Sequence, residues 1–314
     1  GTAATMARAA SLPFALGVAS HCAIDRALHP LRVPRGGDAG TARVYCTASP
    51  TSRTLHTALT SNTTTGLSLI YHGLPLRQGD EVLTTNQDHY VHHEAIRLAA
   101  ERSGATWKKI PIFDSYDSIS PDEITDRIRR AIGPRTRVVG ITWVHSSTGL
   151  RMPVRRVADA IAEINRSRGD GERVLLVVDG VHGLGVESPD LPGLGADLFA
   201  AGLHKWIFAP RGTGFVWARP EVWATMRPLI PTFQTFDLFN AWAEGHPPRV
   251  KAHAAMFSPG GFQAYEHHWA VPLRDAVMRA GGRVLARLLD RYRGRPDVIV
   301  LDVTMPGGSP TSRR

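Results

Sequence analysis

The sequence has little cysteine and no long apolar run. Cys22 and Cys46 are its only two cysteines in 314 residues, too few for a disulfide framework or a four-cysteine zinc site. No apolar run approaches the roughly 18 residues that a membrane-spanning helix needs. We therefore expect a cytoplasmic protein without membrane contact. A short apolar run over 6–20, behind Arg8, keeps an export signal as the alternative to an N-terminal arm.

Acidic residues are fewer than basic ones. Lys and Arg together number 37 against 28 Asp and Glu, which gives a formal net charge of +9. A basic surface can attract nucleic acid or another polyanion. The arginines are spread along the chain, however, and no motif combines aromatic and basic residues as single-strand binders do. We therefore expect no nucleic-acid partner.

Strands alternate with helices from residue 61 onward. The patterns predict helices over 65–74, 91–103, 120–132 and 154–166, and strands over 81–85, 107–112, 137–143, 174–178, 198–201 and 214–218. The strand over 174–178 is apolar throughout, as strands buried on both faces of a sheet are. This order predicts an α/β fold with a mostly parallel sheet flanked by helices. A long helix over 266–292 and a strand over 298–303 indicate the start of a second domain.

Two of these strands end in groups that could carry chemistry. Ligands of open α/β folds bind beyond the carboxyl ends of the strands. Asp179 follows the strand over 174–178, and a buried carboxylate there needs a cationic partner such as a protonated pyridine nitrogen. Lys205 follows the strand over 198–201 between apolar neighbours, which makes it a candidate nucleophile. The ordinary alternatives are a turn aspartate and a lysine that extends to the surface.

Two further groups precede them along the chain. Thr63 and Thr64 stand at the start of a predicted helix, where hydroxyls and free backbone N–H groups make a phosphate site. An ordinary helix cap is the alternative. His89 follows the strand over 81–85 and offers a ring that could stack on a flat cofactor, unless it is a core or surface histidine. A phosphate site, a stacking ring, an acid and a lysine together are what pyridoxal phosphate requires of a protein.

The chain from residue 61 to about residue 270 resembles the class V aminotransferases. These are pyridoxal-phosphate enzymes of fold type I, and the resemblance is strongest to isopenicillin N epimerase-like members. It rests on the segment Gly202-Leu203-His204-Lys205-Trp206-Ile207, which a Pro-x-Gly turn follows. Residues 1–50 show no clear pattern, do not match the family, and are expected to form an N-terminal arm. The resemblance implies a cofactor-binding large domain of the aspartate-aminotransferase type over 51–265. Residues 266–314 would begin a small C-terminal α+β domain that is incomplete, as in a fragment.

The resemblance implies a role for each residue around the cofactor ring. Lys205 would hold pyridoxal phosphate as a Schiff base and then move protons. Asp179 would pair with the pyridine nitrogen and keep it protonated, and His182 would lie near the phenolic oxygen. His89 would stack on the ring, although Tyr90 beside it is the alternative.

The resemblance also implies contacts at the cofactor phosphate and the substrate. Thr63 and Thr64, joined by His204, would bind the phosphate. Ser146 would approach the cofactor or an amino-acid substrate. Gly202 departs from the family pattern, because many relatives have a serine there whose hydroxyl binds the phosphate. No metal is expected in this site.

The family resemblance further implies a homodimer with sites near the interface. Gly260 and Gly261 stand where relatives approach the phosphate of the partner subunit. The arginine that grips the substrate carboxylate in relatives would come after residue 314. We therefore expect the chain as written to bind the cofactor far better than it turns over an amino acid.

The reaction itself stays open among epimerase, lyase and transferase chemistry. A cysteine desulfurase or carbon–sulfur lyase of the same family is the alternative, although Cys22 and Cys46 are in the wrong part of the chain for the desulfurase cysteine. A degenerate homologue that only binds cofactor is a second alternative.

Two unrelated enzyme classes also match parts of the sequence. The glycines over 180–185 follow a strand, but they lack the G-x-G-x-x-G spacing of a dinucleotide site. The histidines over 89–93 are dense, but H-E-x-x-H is absent, and a helix with His92 exposed explains them equally well.

Overall fold

A computed structural model describes residues 56–187, 191–231, 236–258 and His267. Contacts divide the chain into Gly1–Arg274 and Asp275–Arg314, and the described residues all lie in the first unit. The predicted arm over 1–50 lies outside the described residues. So do the predicted strand over 298–303 and, apart from His267, the predicted helix over 266–292.

Helices and strands alternate through most of the described chain. The strands are β1 (Thr57–Thr60), β2 (Glu81–Thr85), β3 (Thr106–Ile110), β4 (Thr136–Thr142), β5 (Leu175–Asp179), β6 (Leu198–Gly202) and β7 (Gly214–Ala218). The helices are α1 (Thr63–Gly73), α2 (Tyr90–Ser103), α3 (Pro121–Ala131), α4 (Val154–Asn165), α5 (Leu191–Leu194), α6 (Pro220–Trp223) and α7 (Phe236–Ala243). Short 3-10 turns occupy Tyr116–Ser118, Asp170–Glu172 and Ala254–Met256.

The described strands form one seven-stranded sheet in the order β1-β7-β6-β5-β4-β2-β3. The five strands from β6 to β3 pair in parallel. β7 runs antiparallel to both β6 and β1. The carboxyl ends of β2, β4, β5 and β6 therefore meet at one edge, as the mostly parallel sheet predicted.

Helices cover both faces of the sheet, and each covered face holds its own core. On one face α1 and α2 pack on the sheet through apolar side chains such as Ile70 and Ile96. On the other face α3 and α4 pack through side chains such as Ile128 and Ile161. Alternate residues of β5 serve the two cores, which explains its continuous apolar sequence. Each fully buried side chain of this size contributes roughly 1.5–3 kcal/mol.

The helix ends that position the site are set by local side chains. Asn62 caps α1, since its Oδ1 accepts a hydrogen bond from the Thr65 backbone N–H at 2.9 Å. Ser120 caps α3 by accepting from the Glu123 N–H at 3.1 Å, with Pro121 at the first helical position. α2 ends at Gly104, whose φ of 71° lies in the left-handed region that glycine adopts freely. None of the helices among the described residues is long and apolar enough to span a bilayer.

The elements predicted between residues 65 and 218 are confirmed within a few residues. The strands over 81–85 and 214–218 have the predicted bounds, and α1 begins two residues before the predicted start at residue 65. β1 was missed because four residues rich in threonine give too short an alternation to recognise. Its partner is β7, which is distant in sequence.

The close packing of β4 against α1 and α2 predicts the effect of Gly140→Ala. The hydroxyl of Tyr71 and Nε2 of His92 are 2.6 Å apart and buried. A Cβ at residue 140 would overlap the Tyr71 hydroxyl and lie 2.9 Å from His92 Nε2. Because both rings are fully buried, we expect a loss of about 1–3 kcal/mol of unfolding free energy. Urea unfolding monitored by circular dichroism measures it.

Gly169→Ala is the matched control, because a Cβ there meets nothing within 4 Å. It should change the stability by less than about 0.5 kcal/mol. Equal stability of the two variants would contradict the packing described for Tyr71.

Candidate active site

A cavity of about 180 Å³ lies at the carboxyl edge of the parallel strands. It is lined by the start of α1 and by residues that follow β2, β4, β5 and β6. The lining residues are Asn62, Thr63, Thr64, Leu67, Gln87, His89, Val91, Thr142, His145, Ser146, Asp179, Val181, His182, His204 and Lys205. Every site residue that the sequence predicted is therefore brought to the same cavity.

Asp179 ends β5 as a buried carboxyl group, with 3% of its surface exposed. Its Oδ1 accepts a hydrogen bond from the Val181 N–H at 3.0 Å. Burial raises the pKa of Asp179 to about 7; the Val181 bond and the charge of Lys205 lower it, while Asp88 raises it. No cationic side chain of the described residues forms an ion pair with Asp179. The carboxylate would therefore be stabilised by a cation that enters the cavity.

The raised pKa of Asp179 predicts that protein prepared without cofactor loses folding stability as the pH rises. The pKa is about 7 in the folded state against an ordinary 3.8, so between these values the folded state binds more protons than the unfolded state. Stability is therefore lost as the pH rises from about 4 to about 7, by as much as ~4 kcal/mol. The unfolding free energy of Asp179→Asn relative to the parent should rise by a few kcal/mol between pH 4.5 and pH 8.

Urea unfolding of both proteins at the two pH values measures this difference. The subtraction cancels groups common to both, such as His92. Burial lowers the pKa of His92 to about 4, which gives the opposite slope over the same range. A difference that does not vary with pH would show that Asp179 is charged already at pH 4.5.

Lys205 lies in the turn that follows β6. The turn is closed by the Phe208 N–H, which donates to the Lys205 carbonyl at 2.9 Å, and by the Ala209 N–H, which donates to the Leu203 carbonyl at 3.0 Å. Phe208 has a φ of 55°, which is rare for a residue with a large side chain. Lys205 is exposed, so its apolar neighbours in the sequence do not bury it. The exposed side chain still lines the cavity.

The first turn of α1 and the start of the lysine turn form one end of the cavity. Thr63 is buried, and its Oγ1 accepts a hydrogen bond from the Gly202 N–H at 2.7 Å. Thr64 is exposed beside it, and Nδ1 of His204 is buried with no hydrogen-bond partner among the described residues. Backbone N–H groups at a helix start favour an anion, so these groups form a candidate anion site.

Gly202 permits the close approach of the two groups at this end. A Cβ there would lie 3.0 Å from His204 Cε1 and 3.2 Å from Thr63 Oγ1, both tight distances. Residue 202 has no side-chain hydroxyl to offer, and the absence of a side chain there lets Thr63 and His204 pack closely against it.

Of the two candidate stacking residues, His89 is the one that lies at the cavity. His89 lines the cavity, and its Nδ1 accepts a hydrogen bond from the Val91 N–H at the start of α2. Tyr90 does not line the cavity and is 70% exposed. The two ring centroids are 4.4 Å apart, so one ring can support the other.

His182 is held by a tryptophan of the lysine turn. Trp206 Nε1 donates a hydrogen bond to His182 Nδ1 at 3.1 Å. Since Nδ1 accepts, the proton of a neutral His182 is on Nε2. Burial, the charge of Lys205 and His89 lower the pKa of His182, which favours this neutral form. Sequence reasoning did not anticipate the role of Trp206.

Ser146 is an exposed lining residue that follows β4. Three other cavity residues, Gln87, Thr142 and His145, were not predicted from the sequence. Asp88, which is buried behind them, was not predicted to have a role either. The signal that could have found Asp88 was its place just after β2, which parallels the place of Asp179 at the end of β5.

The features that suggested other enzyme classes have structural explanations. A Cβ at Gly180 or Gly183 would overlap the rings of Phe199 and Trp143 respectively, so these glycines serve packing. His92 is fully buried and bonded to Tyr71, which corrects the exposed position suggested above. The described residues contain no group of three side chains that could hold a metal ion.

Much of the sequence matches a known protein family. Residues 51–253 match the family described as Aminotransferase class-V. The chain belongs to this family. Class V aminotransferases are pyridoxal-phosphate-dependent proteins, which agrees with the cofactor that the sequence predicted.

Relatives of the chain within the class V family carry different activities. It is 32% identical over 175 residues to the isopenicillin N epimerase of Amycolatopsis lactamdurans, a match that covers 54% of this chain and 41% of that protein. It is 31% identical over 164 residues to a probable cysteine desulfurase of Pseudomonas aeruginosa, covering 52% and 37%. The chain thus matches less than half the length of either curated relative.

Solved structures show the same fold. The cystine C–S lyase C-DES, in complex with its reaction product cysteine persulfide, superposes with a TM-score of 0.64 at 20% identity. That match covers 87% of this chain and 63% of the lyase chain.

The described residues fit pyridoxal phosphate. Asp179 is a buried carboxylate that needs a cationic partner, as a protonated pyridine nitrogen provides. The anion site around Thr63 has an unpartnered imidazole nitrogen on His204, which suits a phosphate. Lys205 supplies an amine to the same cavity.

Proposed function

We propose that this chain binds pyridoxal phosphate in the cavity, covalently through Lys205, and acts on an amino acid or a derivative of one. The observation that carries the proposal is that Asp179 and Lys205 line the same cavity, with the pKa of Asp179 raised to about 7 by burial. The bound cofactor would supply a ring that draws electrons from the amino-acid Cα.

The chain's own residues would hold the two ends of the cofactor. Asp179 would accept a hydrogen bond from the pyridine N–H and keep that proton in place. Thr63, Thr64 and His204 would donate to the phosphate, together with the N–H groups at the start of α1. These contacts would orient the cofactor before the substrate arrives. Little free energy would then be needed to rearrange these groups during the reaction.

The ring would be held between side chains from separate elements. His89 would lie against it from the start of α2. His182 would donate from Nε2 to the phenolic oxygen, because Trp206 occupies its Nδ1. Substitution of Trp206 would therefore act on the cofactor through His182.

Lys205 would have a second role as the proton carrier. As a free amine, its Nζ would take a proton from Cα of the substrate or return one. Ser146 would contact the substrate from the β4 side. Return of the proton to the opposite face of Cα would give epimerase chemistry, and its delivery to another atom would give transferase chemistry. Loss of a substituent from the neighbouring carbon would give lyase chemistry.

A cysteine desulfurase or carbon–sulfur lyase is the second candidate. Similarity to the probable desulfurase of P. aeruginosa favours it, while similarity to the isopenicillin N epimerase of A. lactamdurans favours the epimerase. Cys22 and Cys46 lie outside the described residues and have no place in either proposal. A homologue that binds cofactor without turnover is the third outcome.

We also propose that the functional unit is a homodimer. Support for the dimer comes from the family resemblance. Gly260 and Gly261, on which the prediction was based, lie outside the described residues. Sedimentation of the cofactor-loaded chain tests it, and a monomer with full cofactor affinity would contradict it.

The experiment that tests the function follows the Cα proton. The full chain is loaded with pyridoxal phosphate in D₂O, and L-alanine, D-alanine and L-cysteine are followed by proton NMR and sulfide detection. Exchange of the α proton supports amino-acid chemistry. Appearance of the opposite enantiomer indicates an epimerase, and sulfide from cysteine indicates the second candidate. Cofactor binding without exchange of any substrate would leave only the cofactor-binding homologue.

A further inference from the structure

Three unpartnered polar side chains lie on the β2–β4 side of the cavity. His145 is 2% exposed, and neither of its ring nitrogens has a hydrogen-bond partner among the described residues. The buried atoms Gln87 Oε1 and Thr142 Oγ1 also lack a partner there. All three residues line the cavity. Buried polar groups are nearly always hydrogen-bonded, so we expect this side of the cavity to bind a polar ligand.

A fixed carboxylate lies behind His145. Asp88 Oδ2 accepts hydrogen bonds at 2.8 Å from Thr84 Oγ1 and from both the N–H and the Oγ1 of Thr85. Its Oδ1 accepts from the Thr142 N–H at 2.7 Å and lies 3.8 Å from His145 Nε2. The net effect of its surroundings is to lower the pKa of Asp88 despite burial, through the nearby histidines and these hydrogen bonds. Asp88 is therefore a charged group fixed in position.

We propose that Asp88 and His145 form a carboxylate–imidazole pair that binds an anionic oxygen of the ligand in this cavity. The inference rests on the proposed function, because the ligand is the loaded cofactor or its amino-acid substrate. One ring nitrogen of His145 faces Asp88, which leaves the other for the ligand. Asp88 stabilises the protonated ring, so the imidazole can donate a charge-assisted hydrogen bond.

Two oxygens share the required chemistry. They are the phenolate of the cofactor and the carboxylate of the amino acid. No arginine is among the described residues that line the cavity, so His145 is the group on the β4 side best able to carry a positive charge. Thr142 would donate a further hydrogen bond through Oγ1 to the same oxygen or to its neighbour, whereas Gln87 Oε1 can only accept one. The pair is thus a binding site for one of these two anions.

The charge of His145 depends on several groups. Burial lowers the pKa of His145 below its ordinary value, and Asp88 offsets part of that effect, so the ring takes up its proton when an anion binds. His92 faces it from α2, and its charge would oppose a second positive charge. The other titratable groups that line the cavity are His89, Asp179, His182, His204 and Lys205. A test must therefore follow the His145 ring itself.

The first experiment needs no cofactor. Nitrogen-15-labelled histidine in the full chain reports the protonation of each ring, and the His145 signals are assigned by their loss in His145→Gln. Asp88→Asn should lower the midpoint of the His145 titration by about one pH unit or more, because it removes a negative charge within about 4 Å. An unchanged midpoint overturns the pair. This result does not depend on whether the proposed function is right.

The second experiment uses the loaded protein and needs only His145→Gln. Its affinity for pyridoxal phosphate, and that of the loaded protein for L-alanine, are measured by absorbance. A loss of about 10- to 100-fold in the first constant assigns the phenolate, and the same loss in the second assigns the carboxylate. The exposed His246→Gln is the matched control and should change neither.

Both constants within twofold of the parent would overturn the proposal while leaving the proposed function intact. A parent protein that binds no cofactor at Lys205 would instead overturn the proposed function. If Asp88→Asn does not fold, the His145 signals of the parent protein provide the test. They must shift toward the protonated form when the ligand binds. A ring that does not respond overturns the pair.

Discussion

Asp179→Asn is expected to lower turnover by the cofactor-loaded chain by about three orders of magnitude while leaving the cofactor bound. The amide has nearly the same shape but cannot keep the pyridine nitrogen protonated. The ring then loses its ability to draw charge from the amino-acid Cα. Removing a preorganised charge of this kind costs on the order of 4 kcal/mol in the transition state, which corresponds to about a thousandfold in rate.

The rate of α-proton exchange under saturating amino acid measures this effect, and an absorbance titration measures cofactor binding. Asp197→Asn is the matched control. Asp197 is another largely buried aspartate whose pKa is raised by burial, but it accepts from the Leu176 N–H and pairs with Arg219 away from the cavity. An Asp179→Asn protein within tenfold of the parent rate would mean that Asp179 is only a turn residue.

Lys205→Ala is expected to abolish covalent attachment of the cofactor and to reduce α-proton exchange at least ~1,000-fold. Positioned general bases contribute roughly 10²–10⁴-fold, and alanine removes both the base and the amine that binds the aldehyde. Non-covalent binding should persist, because Asp179, Thr63 and His204 remain. The absorbance of the bound cofactor should then resemble that of the free aldehyde.

Lys251→Ala is the control for Lys205→Ala, because Lys251 is an exposed lysine that does not line the cavity. It should retain both the covalent bond and the exchange rate. Exchange by Lys205→Ala at a rate near that of the parent would assign the proton transfer to another group, with His145 the first to examine.

Local patterns predicted the regular elements of the fold well. The apolar strand that ends in Asp179 and the capped helix after Ser120 depend on residues adjacent in sequence. The order β5-β4-β2 in the sheet depends on long-range pairing, and no local pattern contains it. The strand β1 escaped notice for the same reason, since it is stabilised by β7 across more than 150 residues of chain.

The candidate site likewise has residues that local sequence could predict and contacts that depend on long-range packing. Lys205, Asp179 and Thr63 could be predicted because each follows a strand or opens a helix, and the family resemblance supplied their roles. The hydrogen bond from the Gly202 N–H to Thr63 Oγ1 spans 139 residues and could not be predicted. The approach of Asp88 to His145 likewise depends on β2 lying beside β4, which only the folded sheet provides.

The most direct test of the account is the identity of the lysine that carries the cofactor. Lys108, Lys109, Lys205 and Lys251 are the four lysines of the chain, so a peptide map is unambiguous. The full chain is loaded with pyridoxal phosphate, reduced with borohydride, digested and analysed by mass spectrometry. We expect one labelled peptide, modified on Lys205. Label on another lysine, or none in a folded protein, would contradict it.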